Sequence, residues 1–370
     1  MSDWAGIKKA INSNLSLPLN EKIDRDIEEN RIGHGFVINS KPTSDFPVIN
    51  TVGGADKYIS GSITQRYIEK SGDYYYTFGI SDYNNGFVTK DFDTFESLSS
   101  PYNVYICGRF VYKGVLYVFG SEDSYDGKNF YKVLNKKWTS LGSLPFSCIH
   151  ESKRGVEYKD KAYFWNRTSS EAWCYDGSSW TKINIEGDPL GTTTDIYGEM
   201  FVYNNKLRLA VKRKFYCFDD SSNKFVIDNE ISSFTSTADD RYNYENFYVT
   251  SNGILYMYFS NTEYELCEGS WIATNVSSRY LPTDASIIDG KIYYVSNYTI
   301  KMLNLDFYKD YEFCLPRNCL IFIEHRKKSW ISPIENCEVL NDGLIRVLDD
   351  GVVKFRILGD RNSNLNVIFR

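Results

Sequence analysis

The sequence predicts an all-β fold: a six-bladed β-propeller with short N-terminal helices and a small C-terminal β module. Three observations predict it. A turn-and-aromatic phrase returns six times, a second aromatic series runs in step with it, and the repeated region lacks any long helical stripe.

The phrase is an apolar or tyrosine residue, a turn residue, then an aromatic-rich strand. It occurs as EKSGDYYYTFG (69–79), VYKGVLYVFG (111–120), EYKDKAYFWN (157–166), VYNNKLRLAV (202–211), TSNGILYMYF (250–259) and IIDGKIYYVS (287–296). Its turn residues are Gly72, Gly114, Asp160, Asn205, Gly253 and Gly290, separated by 42, 46, 45, 48 and 37 positions. Gly, Asn and Asp tolerate the positive φ of a tight hairpin, so each phrase predicts two antiparallel strands around a short turn. The second series is Phe95, Trp138, Trp180, Phe225, Trp271 and Phe307, spaced by 43, 42, 45, 46 and 36. Each of these residues closes a later strand of its unit. Four short strands per unit of this length suit a propeller blade rather than a helical solenoid, and a ring leaves only short strand edges open.

The stretches GVLYVFGSEDSYDGKNFYKVLNKKWTSLGSLP (114–145) and KAYFWNRTSSEAWCYDGSSWTKI (161–183) resemble kelch repeats in the turn, the second-strand Tyr and the Trp of the fourth strand. The paired glycines usual after the first kelch strand are largely missing. The resemblance covers roughly residues 60–310 and implies a kelch-like propeller.

Composition narrows the function classes. The chain has 370 residues, 42% of them hydrophobic, and no stretch approaches the ~20 unbroken apolar residues of a membrane span. A net charge of −6 argues against a general nucleic-acid binder, which needs a basic face. The short basic runs Lys212-Arg213-Lys214 and Arg326-Lys327-Lys328 read as solvated loop or strand edges. Thirty Tyr and 23 Phe suit strands and binding surfaces alike. The eight cysteines contain no CxxC pair and several sit inside apolar strand patterns, so buried thiols are expected and a zinc site is not.

The ends differ in texture. Trp4, Ile7, Ile11 and Leu15 make one helical stripe, Pro18 interrupts it, and 19–30 predicts a second, acidic helix. The expected organisation is a helical segment at 1–34, the propeller at 35–311 with a closing strand from 35–60, and the β module at 312–370. In that module CLIFIEHRKKSW, LIRVLDDGVVKFRIL (344–358) around the turn Asp349-Asp350-Gly351, and LNVIFR read as a small antiparallel sheet. The opening DWAGIKKAINSNLSLPLNEKI (3–23) resembles the N-terminal segment of tail-fibre or baseplate-attached proteins from phages of low-GC Gram-positive bacteria. That resemblance implies attachment of Trp4, Ile7, Ile11 and Leu15 to a tail protein or to sister chains, trimers being common among such proteins. It also implies host-surface binding by the distal part.

Catalytic signatures are absent. His34, His150 and His325 lie in separate regions without neighbouring ligands, and no Walker loop, GxGxxG or GxSxG occurs. YDGKNF (125–130) and YDGSSW (175–180) are similar to Asp-box turns of sialidase-type propellers, but the full Asp-box spacing is not met. Loops after the second strand of each blade hold Asp82, Tyr83, Asp123, Tyr125, Arg167, Arg213 and Tyr298, aromatic and polar types that suit a polysaccharide. No metal and no cofactor is expected. The leading expectation is a receptor-binding or accessory baseplate protein of a phage or phage tail-like particle, with a surface glycan or protein as ligand. It would be made in the bacterial cytoplasm and located in the virion tail, without membrane insertion. An intracellular kelch-type scaffold and a glycan-cleaving enzyme are the alternatives.

Overall fold

The computed structural model describes residues 39–42, 49–54, 65–79, 85–99, 105–121, 127–148, 154–187, 196–234, 246–250, 253–259, 262–277, 285–289, 291–296, 299–304, 308–323, 330–358 and 365–368. These residues are all-β. The helices expected within 1–34 lie outside them.

Strands β1 (Asn39–Pro42) and β2 (Ile49–Gly54) come first. Antiparallel meanders follow: β3 (Gln65–Ser71), β4 (Tyr74–Gly79), β5 (Asn85–Thr89) and β6 (Glu96–Ser99), then β7 (Tyr105–Tyr112), β8 (Val115–Ser121), β9 (Asn129–Leu134) and β10 (Lys137–Ser143). Next are β11 (Val156–Tyr158), β12 (Lys161–Asn166), β13 (Glu171–Tyr175) and β14 (Trp180–Ile185), and β15 (Gly198–Tyr203), β16 (Lys206–Val211), β17 (Lys214–Asp219) and β18 (Lys224–Ile227). Another meander holds β19 (Asn246–Val249), β20 (Leu255–Phe259), β21 (Thr262–Cys267) and β22 (Ser270–Ser277). The last has β23 (Ser286–Ile288), β24 (Lys291–Ser296) and β25 (Thr299–Asn304), with β2 pairing antiparallel to β25 as its fourth strand. This compact unit spans Ile49–Val249 and Leu255–Asn304 and is propeller-like. β7 packs on β11, β11 on β15 and β15 on β19, while β3 lies against both β7 and the β23–β24 pair. The outer edges β14 and β18 pair in parallel through Asn184↔Lys224 and Ile185↔Phe225, which covers two exposed edges at once.

The turn residues behave as their chemistry requires. Lys113/Gly114, Lys159/Asp160 and Asn204/Asn205 have positive φ at both central positions, the signature of the hairpin turn whose twist matches the strands. Gly72 and Gly253 are also left-handed, at 58° and 75°. The residue before the turn reaches the next sheet. Ser71 Oγ donates to Gly114 O at 3.0 Å, Tyr112 OH to Asp160 O at 2.9 Å, and Tyr158 OH to Asn205 O at 3.2 Å. The polar position thus recurs for a tertiary reason: it saturates the carbonyl that a left-handed turn exposes. Trp138, Trp180, Phe225 and Trp271 each stand at the start of a fourth strand and pack into the hydrophobic clusters between sheets.

Arg208 on β16 is fully buried but answered on every side. Nε donates to Asp228 at 2.7 Å, Nη2 to Glu230 at 2.6 Å, and Nη1 to the Tyr203 carbonyl. A paired, hydrogen-bonded guanidinium of this kind is a structural tie.

Asp91 and Asp176 sit in the turns between third and fourth strands and Asp219 ends the third strand β17, and each carboxylate accepts hydrogen bonds from residues two and three positions on. For Asp91, the amides of Thr94 and Asp93 and the Thr94 hydroxyl hold the carboxyl at about 2; for Asp219, the Ser222 and Ser221 hydroxyls hold it at about 2. Asp176 is likewise held well below the usual range by the Ser179 and Ser178 amides. A depressed folded pKa contributes stability above the unfolded value of 3.8 that disappears as pH falls through the folded value. The double substitution D91N/D219N is therefore expected to lower stability near neutrality and to flatten its further loss between about pH 4 and pH 2. Urea midpoints measured against pH check this; an unchanged acid limb rejects it.

The other compact unit joins β1 to the strands after Leu305. These are β26 (Tyr308–Leu315), β27 (Leu320–Ile323), β28 (Ile331–Glu335), β29 (Cys337–Asn341), β30 (Leu344–Val347), β31 (Gly351–Leu358) and β32 (Leu365–Ile368). Two four-stranded antiparallel sheets, ordered β1-β26-β31-β28 and β29-β30-β27-β32, share a core of Phe313, Ile321, Ile345, Val353 and Phe355. The sequence read this region as one small antiparallel sheet, yet β30 and β31, on either side of the turn, lie in different sheets. Asn336 takes both backbone groups of Asp349, its Nδ2 donating to Asp349 O at 2.7 Å and its Oδ1 accepting from Asp349 N at 2.7 Å. Asp350 Oδ1 accepts the Arg317 amide, so the turn becomes a corner between sheets.

None of the eight cysteines forms a disulfide, and burial pushes the Cys319 thiol up to about 12 and raises that of Cys337. A thiolate reagent at pH 8 is expected to label the partly exposed Cys217, Cys267 and Cys314 first, leaving Cys319 and Cys337 unreacted until urea unfolds the chain. Mass mapping of labelled peptides decides it.

Candidate functional site

The first strand of every meander in the propeller-like unit lies at an edge of its sheet. Several of these strands interrupt an apolar pattern with a charge or amide: Glu69 in RYIEKS, Arg109 in GRFVY, Glu199 in GEMFVY, and Asn246 at the start of β19. Such a group survives burial only with partners. Glu69, with no exposed surface, provides the clearest case. Its Oε1 accepts from Arg109 Nε at 2.8 Å and from Ser286 Oγ at 3.3 Å. Its Oε2 lies 3.1 Å from Arg154 Nε, an ion-pair contact without hydrogen-bond alignment. Arg154 Nη1 also donates to the Ile287 carbonyl at 2.5 Å. One carboxylate thus links β3 with β7, β23 and the residue two places ahead of β11.

Beside this network is a cavity of about 390 Å³. Its walls come from the first strands β7, β11, β15, β19 and the approach to β23, and are largely apolar: Val111, Val156, Met200, Phe201, Phe247 and Ile287. Polar groups enter at Arg154, Glu157, Glu199, Asn246 and Tyr248. Arg154 keeps 29% of its side chain exposed, while the Phe247 amide donates to Glu199 Oε1 at 3.5 Å and the Lys113 amide to Glu157 Oε2 at 2.9 Å. A half-enclosed apolar space with a few fixed polar groups is the usual form of a small-ligand site. Among the described residues, the cavity wall contains no Ser, Thr, Cys, His or Lys to act as nucleophile or amine.

Of the loop residues expected at a site, Arg167 and Arg213 are described. Arg167, in the turn after β12, lays its guanidinium 3.5 Å from the Tyr197 ring centroid; Arg213, in the turn after β16, lies 5.4 Å from that of Phe259. Each stacks on an aromatic ring of the following meander, and neither lines the cavity. Asp82, Tyr83, Asp123, Tyr125 and Tyr298 lie outside the described residues, as do Trp4, Ile7, Ile11 and Leu15 and all three histidines. Sequence reasoning looked to loops and missed Glu69, Arg154, Glu199 and Asn246. The available signal was a charge in mid-strand between apolar neighbours.

No protein-family model matches the chain, and no curated protein matches its sequence. Among solved structures, a structural genomics protein of unknown function from Bacteroides thetaiotaomicron is similar over 69% of this chain and 75% of that chain, with 13% identity and a TM-score of 0.48.

Proposed function

We propose that the chain is a receptor-binding or accessory baseplate protein of a phage or phage tail-like particle. In this reading its meanders form a six-bladed, kelch-like ring closed by β2, and the ring binds a bacterial surface glycan. The observation that carries the binding role is the cavity of about 390 Å³ between first strands, apolar with Arg154, Asn246 and Glu199 in its wall. Packing of β23 and β24 against β3 supports closure of the ring. The N-terminal resemblance supports attachment through residues 1–33, and several copies on one particle would multiply weak single-site binding.

The test pairs full-length protein with a form lacking residues 1–33, each incubated with assembled particles and with host cell-wall polymer. Capture of tail components by the full-length protein alone, with wall adsorption by both, is the expected result. Failure of both forms to adsorb to cells or wall polymer overturns the reading.

Glu157 and Glu199 in one cavity wall favour a second reading, glycan cleavage by a carboxylate pair. Release of reducing ends from wall polymer, abolished in Glu199→Gln, would replace binding by hydrolysis.

A further inference from the structure

We propose that the cavity is the subsite for one acidic sugar residue, a hexuronic acid unit, whose carboxylate sits on Arg154. This deepens the glycan-binding reading and rests on it.

The argument starts from how Arg154 is held. Its Nη1 donates to Ile287 O and its Nε stands 3.1 Å from Glu69 Oε2, one hydrogen bond and one ion-pair contact that restrain the guanidinium. Neither contact uses Nη2. The side chain lines the cavity and is 29% exposed, so a donor of a restrained cation borders a largely apolar space. Holding an arginine this way costs the protein side-chain entropy in advance, and an incoming anion gains it back. Glu69 also serves Arg109, so its single carboxylate is shared between two guanidinium groups. That leaves the Arg154 end of the cavity electron-poor and suited to a carboxylate, the acceptor that makes the shortest and strongest bonds to a guanidinium.

The other walls set the rest of the ligand. Glu157 and Glu199 place two carboxylates around the same space, which disfavours a polyanion and confines a single carboxylate to the Arg154 end. Asn246 and Glu199 suit hydroxyl groups, and the partly exposed Val156, Val202 and Val249 suit the C–H face of a sugar ring. One carboxylate, several hydroxyls and one apolar face describe a hexuronic acid.

The experiment titrates the full chain with D-glucuronate, D-glucuronamide, D-glucose, D-glucosamine and an N-acetylated dipeptide, followed by saturation-transfer NMR. Glucuronate is expected to bind, with glucuronamide and glucose weaker by about tenfold or more, the value of one charge-assisted contact. Arg154→Gln should lose the preference for glucuronate, and Ala285→Phe should fill the cavity and lose all sugar binding while leaving the Glu69 partners in place. Urea midpoints of both variants separate loss of binding from loss of fold. Equal binding of glucuronamide, tighter binding of glucosamine or of the dipeptide, or no monosaccharide binding by the folded chain overturns the proposal. If the chain still adsorbs to wall polymer in that last case, glycan binding stands and lies elsewhere on the ring. If adsorption fails while glucuronate binds, the subsite stands and the particle role falls.

Discussion

Glu69→Ala is expected to destabilise the propeller-like unit by about 3–5 kcal/mol, the usual cost of removing one partner from a buried ion pair. The carboxylate has no exposed surface and receives Arg109 Nε at 2.8 Å, Ser286 Oγ at 3.3 Å and the Arg154 contact at 3.1 Å. Arg109 is itself only 3% exposed, so its charge cannot turn to water without moving β7. Glu69→Gln keeps an acceptor and is expected to cost less, since shape and one hydrogen bond survive while the charge is lost. Because Glu69 ties β3 to β23 through Ser286, its loss should also raise amide exchange in the first and last meanders before the middle ones. Urea unfolding with peptide-resolved hydrogen exchange measures both effects. A loss below about 1 kcal/mol would mean that the network contributes no more than a surface pair.

Gly108→Ala is the second large effect, expected at about 3 kcal/mol or more, at or beyond the upper end of ordinary overpacking. A Cβ built at Gly108 would stand 2.1 Å from the Phe119 ring and 2.8 Å from Phe164. Neither ring has room to retreat. Both are fully buried, they meet edge-to-face at 4.5 Å, and Phe146 and Phe130 pack on Phe119 as well. The strand bulges between Ile106 and Gly108, which brings the backbone against the ring. Gly198 repeats the device, where a Cβ would lie 2.8 Å from the indole of Trp165. By contrast Gly114→Asn, at a left-handed turn with open space around it, should cost only a few tenths of a kcal/mol. Comparing the urea midpoints of these two variants separates close packing from backbone conformation as the reason a glycine is needed. Equal midpoints would reject the packing argument.

Much of the fold was legible because its determinants are local. Asp160 and Asn205 stand at left-handed turn positions, as their side-chain chemistry anticipates, whereas Trp138, Trp180 and Trp271, expected to close a strand, open the fourth strands instead. The candidate site was not legible for the converse reason. Glu69, Arg109 and Arg154 lie 40 and 85 positions apart along the chain from Glu69 onward, and nothing in RYIEKS or GRFVY says that these groups face one another. Arg167 and Arg213, chosen for their loop positions, stack on rings of the following meander instead of lining the cavity.

The sequence by itself determined the β character, the hairpin turns and the repeat period, since a turn residue and a strand aromatic act within a few residues of themselves. Tertiary structure alone decided three things. It made β2 the partner of β25, turned Asp349-Asp350-Gly351 into a corner between two sheets, and gathered one charged network from three first strands and the approach to a fourth. Each depends on groups distant in sequence being desolvated together, where an unpaired carbonyl, edge or charge costs kilocalories that only its eventual neighbour removes.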